Sequence, residues 1–322
     1  MKRLRSIGLV TAQALALATA AQAETKRPAV GALPSPVVVE GETGSVVALR
    51  SPEPPEVLFR GGVFTMGSEP TVALEALDLC NYDLHNAEAC GFPLANELLP
   101  IEELVQNEVA PHPVTVSAFW MDRTEVTVEA YDRCVVVGAC TSTTARRVTA
   151  SSRLLPVTNV SHDEAQAYCG WRRGRLPTEA EWERAARGLR GRRFPWGNDL
   201  QSRAANHGTM RLIDGDKRLF PGTDDSDGFV DLAPVGSFPA GRTPEGLEDM
   251  AGNVAEWVLD NYADRYDPVS AHDPKGPLTS PFRVIRGGSY ISGPSFLRGA
   301  SRSFASPGVH HTSIGFRCAR PG

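Results

Sequence analysis

Gly246-Leu-Glu-Asp-Met-Ala-Gly-Asn-Val-Ala-Glu-Trp257 is the stretch on which the reading of this chain turns. Its oxygen-bearing side chains and glycines are spaced like a turn around a hard cation rather than like a helix or a strand. Asp249 and Glu256 offer carboxylates, Gly252 permits a bend with φ > 0, and the bent backbone presents carbonyls to complete a Ca²⁺ cage. Trp257 would anchor the turn in apolar packing. A capped surface turn without an ion would use the same residues, so the rest of the chain has to decide.

Composition narrows the choice. With 322 residues and 41% hydrophobic content the chain can bury a substantial core, and 25 prolines with 30 glycines point to a fold carried by turns. A net charge of -5 supplies no broad phosphate-neutralising surface, so nucleic-acid partners are disfavoured. Residues 1–23 read as a signal peptide. Lys2, Arg3 and Arg5 precede an apolar run from Ile7 to Ala20, and Ala21-Gln22-Ala23 supplies a cleavage site. That run is shorter than the roughly 20 residues a membrane span needs, and no later segment is apolar enough to span. A periplasmic or secreted, non-membrane-spanning protein is expected.

In an oxidising compartment an even number of cysteines implies disulfides, although six admit many pairings. Cys134 with Cys140 and Cys80 with Cys90 are spaced to close short loops, which would leave Cys169 with Cys318. Residues 24–56 read as a flexible, Pro-rich lead-in. The domain is expected over 57–322, with an inserted loop at about 69–110 holding short helices at Val72–Leu79 and Ile101–Asn107. Val57–Gly67 reads as two strands joined or bulged at Gly61-Gly62, and Val114–Asp122 as one strand. A Thr-capped helix should run from Val128 to Val136. Ser161-His-Asp-Glu164 and Thr178-Glu-Ala-Glu181 are capping boxes, each opening a helix. The first should bury Ala165, Tyr168 and Cys169. The second should bury Trp182, Ala185 and Ala186 while Glu183 and Arg184 face water.

A set of ordered blocks then carries a family resemblance. Gly61-Gly-Val-Phe-Thr-Met-Gly-Ser68, Thr124-Glu-Val-Thr127, Pro156-Val-Thr-Asn-Val-Ser161, Gly174-Arg-Leu-Pro-Thr-Glu-Ala-Glu-Trp-Glu183, Phe194-Pro-Trp-Gly-Asn198, Gly252-Asn-Val-Ala-Glu-Trp257, Arg286-Gly-Gly-Ser289 and Gly315-Phe-Arg-Cys318 occur in this sequence. Their order resembles that of the sulfatase-modifying-factor, or formylglycine-generating-enzyme, family over about residues 57 to 320. The resemblance implies an α+β class: a single loop-rich domain with the C-type-lectin-related fold of that family, stabilised by Ca²⁺. It also implies a Cys169–Cys318 pair.

By the same resemblance, one Ca²⁺ site would use the side chains of Asp249 and Glu256 and the carbonyls of Gly252 and Val254. A second would use the side chains of Asn206 and Asp227 and the carbonyls of His207 and Phe229, with Asp224 or Asp225 as alternatives to Asp227. All-oxygen sets suit Ca²⁺ better than Zn²⁺. Enzymes of the family oxidise a substrate cysteine to formylglycine through a copper-binding cysteine pair placed shortly after Arg-Gly-Gly-Ser. This chain carries Ser292 where the first would align, and no cysteine between Cys169 and Cys318. A hydroxyl is too weakly acidic and too hard to replace a thiolate on Cu(I), so copper chemistry is not expected. Ala186 and Gly299 fall where a second family disulfide would be. The site should then be a degenerate groove, with Ser289, Tyr290, Ser292, Arg298, Arg302 and Trp196 as candidate lining residues. An exported module binding a peptide, protein or small envelope ligand is the expected function. The alternative is an oxidoreductase or maturation enzyme acting on a secreted peptide or small molecule through residues other than cysteine. The adjacent His310-His311 reads as an exposed loop pair.

Overall fold

Local capping chemistry sets the helices. The computed structural model describes residues 55–322 except 72–75, 77–78, 80–90, 95–96, 101–105, 144–147, 213–218, 224 and 268–271. Helix α1 (Val128–Val136) starts where Thr127 Oγ1 accepts the Ala130 amide at 3.2 Å. Helices α2 (His162–Trp171) and α3 (Glu179–Arg187) open with complete capping boxes. Ser161 and Glu164 exchange bonds of 3.3 and 2.8 Å, Thr178 and Glu181 bonds of 3.2 and 2.8 Å. Each box satisfies donors that a helix start otherwise leaves open. Ala165, Tyr168 and Cys169 are buried as their spacing predicts.

The strands depart further from a linear reading. β1 (Glu56–Phe59) and β2 (Gly62–Met66) face β6 (Phe119–Asp122) and β5 (His112–Val116) in two antiparallel ladders, with Phe59 opposite Phe119 and Gly62 opposite Val116. The predicted single strand Val114–Asp122 is therefore wrong: it breaks at Ser117 and Ala118. The break is decided across the ribbon, because a Cβ at Gly61 would lie 3.0 Å from both the Ala118 nitrogen and the Val116 oxygen. A side chain there would press on both backbone atoms, so glycine eases the close approach of the two arms where they change sheet. Within 69–110, Pro70, Thr71, Ala76 and Leu79 are helical, and β3 (Gly91–Leu94) pairs with β4 (Glu97–Pro100). β7 (Thr209–Leu212) and β8 (Leu219–Gly222) form another hairpin.

The remaining sheet runs in the order β11 (Arg302–Ala305), β10 (Arg283–Arg286), β9 (Ala255–Asn261) and β12 (Ile314–Gly315), with β12 parallel to β9. β13 (Ala319–Pro321) adds to β6 opposite β1. Strand β9 divides the core by alternating its side chains. Val258 packs with Phe59, Phe64, Met121 and Trp182, whereas Ala255 and Trp257 pack with Tyr131, Tyr168 and Phe316 from α1, α2 and the C-terminal segment.

Helix α3 contradicts its surface assignment. Glu183 and Arg184, expected to face water, are buried, as are all nine residues of the helix. Glu183 is tolerated there because Arg187 (2.6 Å), Arg286 (2.7 Å) and the Gly67 amide (2.8 Å) converge on it. Arg184 lies over the Phe59 ring, 5.6 Å from its centroid. Two disulfides lock the frame: Cys134–Cys140, which ties α1 to the turn that follows it, and Cys169–Cys318, which ties α2 to the start of β13. The Cys80–Cys90 pairing, the 1–23 leader and almost all of the 24–56 lead-in lie outside the described residues.

Candidate functional site

The loop before β9 folds over an acid-rich interior. Asp249 and Asn253 take left-handed φ values of 57°, and Gly252 one of 77°. A Cβ on Gly252 would lie 2.1 Å from the Asn206 carbonyl oxygen, so only glycine fits. Three buried carboxylates, Glu125, Asp249 and Glu256, gather about one guanidinium, Arg317. Arg317 takes Glu256 at 2.7 Å and also donates to the carbonyls of Asp122, Arg123, Glu248 and Asp249. Trp182 Nε1 donates to Glu256 at 2.8 Å. Glu256 is thereby committed to protein donors, while Asp249 receives the Gly236 amide at 2.6 Å. No hydrogen-bond donor among the described residues reaches Glu125 Oε2. Burial, and then Asp249, push Glu125 well above the usual carboxylate range, and burial pushes Asp249 up to about 6. Carboxyls pushed up in this way resist ionisation, and a cation beside them would reverse that. Glu125 is a member that the sequence did not disclose; its only trace was the Thr124-Glu-Val-Thr127 block.

The second set is adjacent. Asp227 accepts the His207 amide at 2.7 Å and the Phe229 amide at 2.8 Å, which places it beside these two residues of the expected set; Asp224 lies outside the described residues. The amide nitrogen of Asn206 donates to the Asp231 carbonyl and to Asn253, leaving its buried Oδ1 without a donor among the described residues. An orphaned buried acceptor beside a carboxylate fits an oxygen-liganded cation. Asn253 joins the two sets: its Oδ1 accepts from Asn206 (3.0 Å) and its Nδ2 donates to Glu125 (3.1 Å).

These loops also hold a groove. Gly252 donates to the Gly287 carbonyl (2.9 Å), Tyr290 to that of Asn253 (2.9 Å), and Gly208 to that of Ser292 (3.1 Å). The turn thus fixed brings Ser289 Oγ and Ser292 Oγ within 3.1 Å, and Ser292 Oγ also accepts the Ser289 amide at 3.0 Å. The hydroxyls open onto a cavity of about 290 Å³ lined by Ile291, Phe296, Phe304, Val309, His311 and Ser313 among others. Its walls are mostly apolar with a few hydroxyls, the pattern of a binding cleft.

The predicted groove residues divide. Ser289 and Ser292 line the cavity, and Arg302 reaches its edge while paired with Glu179 at 2.7 Å. Tyr290 packs instead with Val128, Leu155, Leu232 and Val254. Arg298 is buried 2.7 Å from Glu108, and Trp196 stacks on Phe194 at 5.1 Å. Neither lines the cavity. His310 and His311 are exposed, as read, although His311 also lines this cavity. A Cβ at Gly299 would stand 3.6 Å from that of Ala186, within the span of a disulfide, so these two positions are neighbours as the resemblance implies.

A loop-rich α+β domain with interlocked oxygen-donor loops under a groove is the formylglycine-generating-enzyme type of fold. The chain belongs to the sulfatase-modifying factor enzyme 1-like domain family, which it matches over residues 45–321. It is similar to the formylglycine-generating enzymes of Mus musculus (40% identity over 169 residues, 51% of this chain and 44% of that protein) and Streptomyces coelicolor (44% over 170 residues, 51% and 52%). It is also similar to the inactive C-alpha-formylglycine-generating enzyme 2 of Mus musculus (39% over 171 residues, 51% and 49%). The chain spans about half the length of the curated relatives it matches. Among solved structures, PvdO from Pseudomonas aeruginosa superposes with a TM-score of 0.56 at 25% identity, covering 83% of this chain and 94% of that one. Treponema denticola variable protein 1 shares the fold, with a TM-score of 0.58 at 21% identity over 83% and 95%. No described helix is long and apolar enough to cross a membrane.

Proposed function

We propose that this chain is an exported member of the family that binds a peptide, protein or small envelope ligand in the Ser289–Ser292 groove and does not generate formylglycine. The observation that carries this reading is Ser292, which stands where the first of the family's copper-binding cysteines would align and whose hydroxyl lies 3.1 Å from that of Ser289. Oxygen donors of this acidity do not hold Cu(I), and the sequence offers no other cysteine near the turn. A groove that holds an extended chain by shape and main-chain contacts keeps that capacity when its reactive atoms change. Similarity to a relative named as inactive supports the reading, as similarity to active enzymes supports a peptide-shaped groove. Two disulfides support an oxidising compartment.

Ca²⁺ completes the proposal. The surplus carboxylates at Asp249 and Glu125 and the unsatisfied Asn206 Oδ1 would each gain a partner, and both loops brace the groove turn. Incubation with a Cys-x-Pro-x-Arg peptide, copper and oxygen should leave the peptide mass unchanged. Mass loss corresponding to aldehyde formation would make the chain an enzyme and overturn the reading. Aldehyde formation that survives Ser292→Ala would place the chemistry on other residues.

A further inference from the structure

The groove cavity is walled by the Ser289–Ser292 turn and by the sheet β11-β10-β9-β12, and strand alternation decides what the sheet offers it. Arg286 and Arg302 are register partners, and both send their guanidiniums to Glu179 on α3, Arg286 at 3.3 Å and Arg302 at 2.7 Å. Their neighbours Ile285 and Ser303, also opposite one another, therefore present their side chains to the other face. There Ile285 clusters with Ala255 and Ile314, and Ser303 and Ala305 join them in the cavity lining.

The positive charge of this wall is thus spent behind it. Arg286 also donates to the Gly299 and Ala300 carbonyls, and Arg302 to those of Asn107 and Ala263. Among the described residues no Asp, Glu, Lys or Cys lines the cavity, and beyond the two arginines His311 is its one ionisable side chain. The Ser313 amide donates to His311 Nδ1 at 3.2 Å, and the Ser313 hydroxyl lies 2.8 Å from the same nitrogen. An amide can only donate, so the neutral ring accepts at Nδ1 and carries its proton on Nε2. The cavity therefore joins apolar walls to hydroxyls and one ring N–H, with no free charge to answer a charged guest. A charged group entering it would give up its hydration without a counter-ion, whereas an aliphatic group gains with each part of its surface that is buried.

Resting on the reading of this groove as a binding site, we propose that it selects peptides by an uncharged aliphatic side chain of leucine size, which enters the cavity while His311 Nε2–H donates to a main-chain carbonyl beside it. A fatty acyl chain would fill the apolar part and offer His311 no acceptor along its length. A basic or acidic side chain would meet no partner.

Calorimetric titration of the full chain at neutral pH with the N-acetyl α-amides of leucine, lysine and glutamic acid tests this. The leucine compound should bind at least about tenfold more tightly than either charged one. It should also bind more tightly than 4-methylpentanol, which keeps an alkyl group and lacks the amide. Ser303→Asp, at a half-buried position of the edge strand, puts a carboxylate in the lining and should move the preference at least about tenfold toward the lysine compound. His311→Ala, at an exposed position, should weaken the leucine compound, and His311→Gln, which restores a donor, should recover part of the loss. This pair decides the matter if Ser303→Asp does not fold. Equal binding of a charged compound or of the alcohol would overturn the selectivity and leave the groove a binding site. Absence of binding by all the compounds, or binding that neither a folded Ser303→Asp nor His311→Ala alters, would overturn the proposal and the groove reading beneath it.

Discussion

Two buried charge clusters meet at β9 and are built on opposite principles. Around α3, Glu179 and Glu183 face Arg187, Arg286 and Arg302, and both carboxylates are fully bonded. Burial works against the charge on Glu183, but Arg286, Arg187 and the Gly67 amide hold it below the usual range. Around the loop before β9, Glu125, Asp249 and Glu256 share Arg317, and burial leaves the first two above that range. The carboxylates of the first cluster are satisfied within the protein, and its arginines fasten loops through carbonyls of Gly67, Gly299 and Ala300. The second leaves Glu125 and Asp249 raised, the imbalance that the proposed Ca²⁺ would relieve.

Substitutions should separate the two. Arg286→Met takes one cation from both Glu179 and Glu183, which keep Arg302 and Arg187, and urea unfolding should reveal a loss of about 3–5 kcal/mol; a loss below about 1 kcal/mol would mean that the cluster is not a fastening. Ca²⁺ at a hundredfold excess over its Kd should add about 2.7 kcal/mol relative to EGTA. Glu125→Gln should erase part of that gain yet leave stability in EGTA equal or higher, whereas an acid required by the bare fold would lower both. The smallest change per step concerns Asp260, which burial and then Glu179 push up to about 8. Its folded pKa exceeds the unfolded one, so the native state holds the extra proton and stability falls as pH rises from about 4 to 8. The slope approaches about 1.4 kcal/mol per pH unit. Asp260→Asn should flatten it in melting curves, while Glu181 and Arg302 remain in place.

What could be read from sequence follows from how local each cause is. Thr127, Ser161 and Thr178 act on amides three residues away, so the helix starts were visible in the string. Burial of Glu183 and Arg184 was not, because an i,i+4 Glu–Arg pair reads alike on a surface and in a core. Its placement depends on Arg286, about a hundred residues later. The break at Ser117 hangs on Gly61 across the ribbon. Asp249 and Glu256 could be singled out from spacing, whereas Glu125 enters the same cluster from a distant block and carries no spacing signal of its own. Ser289 and Ser292 were placed together by three residues of separation; Trp196 and Arg298 were lost because their partners, Phe194 and Glu108, lie outside the turn.

The three-stranded sheet β1-β6-β13 has a mechanical consequence. Its outer strands both run antiparallel to β6, with Glu56 opposite Asp122 and Pro321 opposite Phe119, so the two ends of the domain leave from opposite ends of one strand. Tension applied through the flanking chain would load both ladders in shear rather than peel them, with Cys169–Cys318 stopping any slip just inside β13. Such a load would meet these two ladders before it reached the Ser289–Ser292 turn.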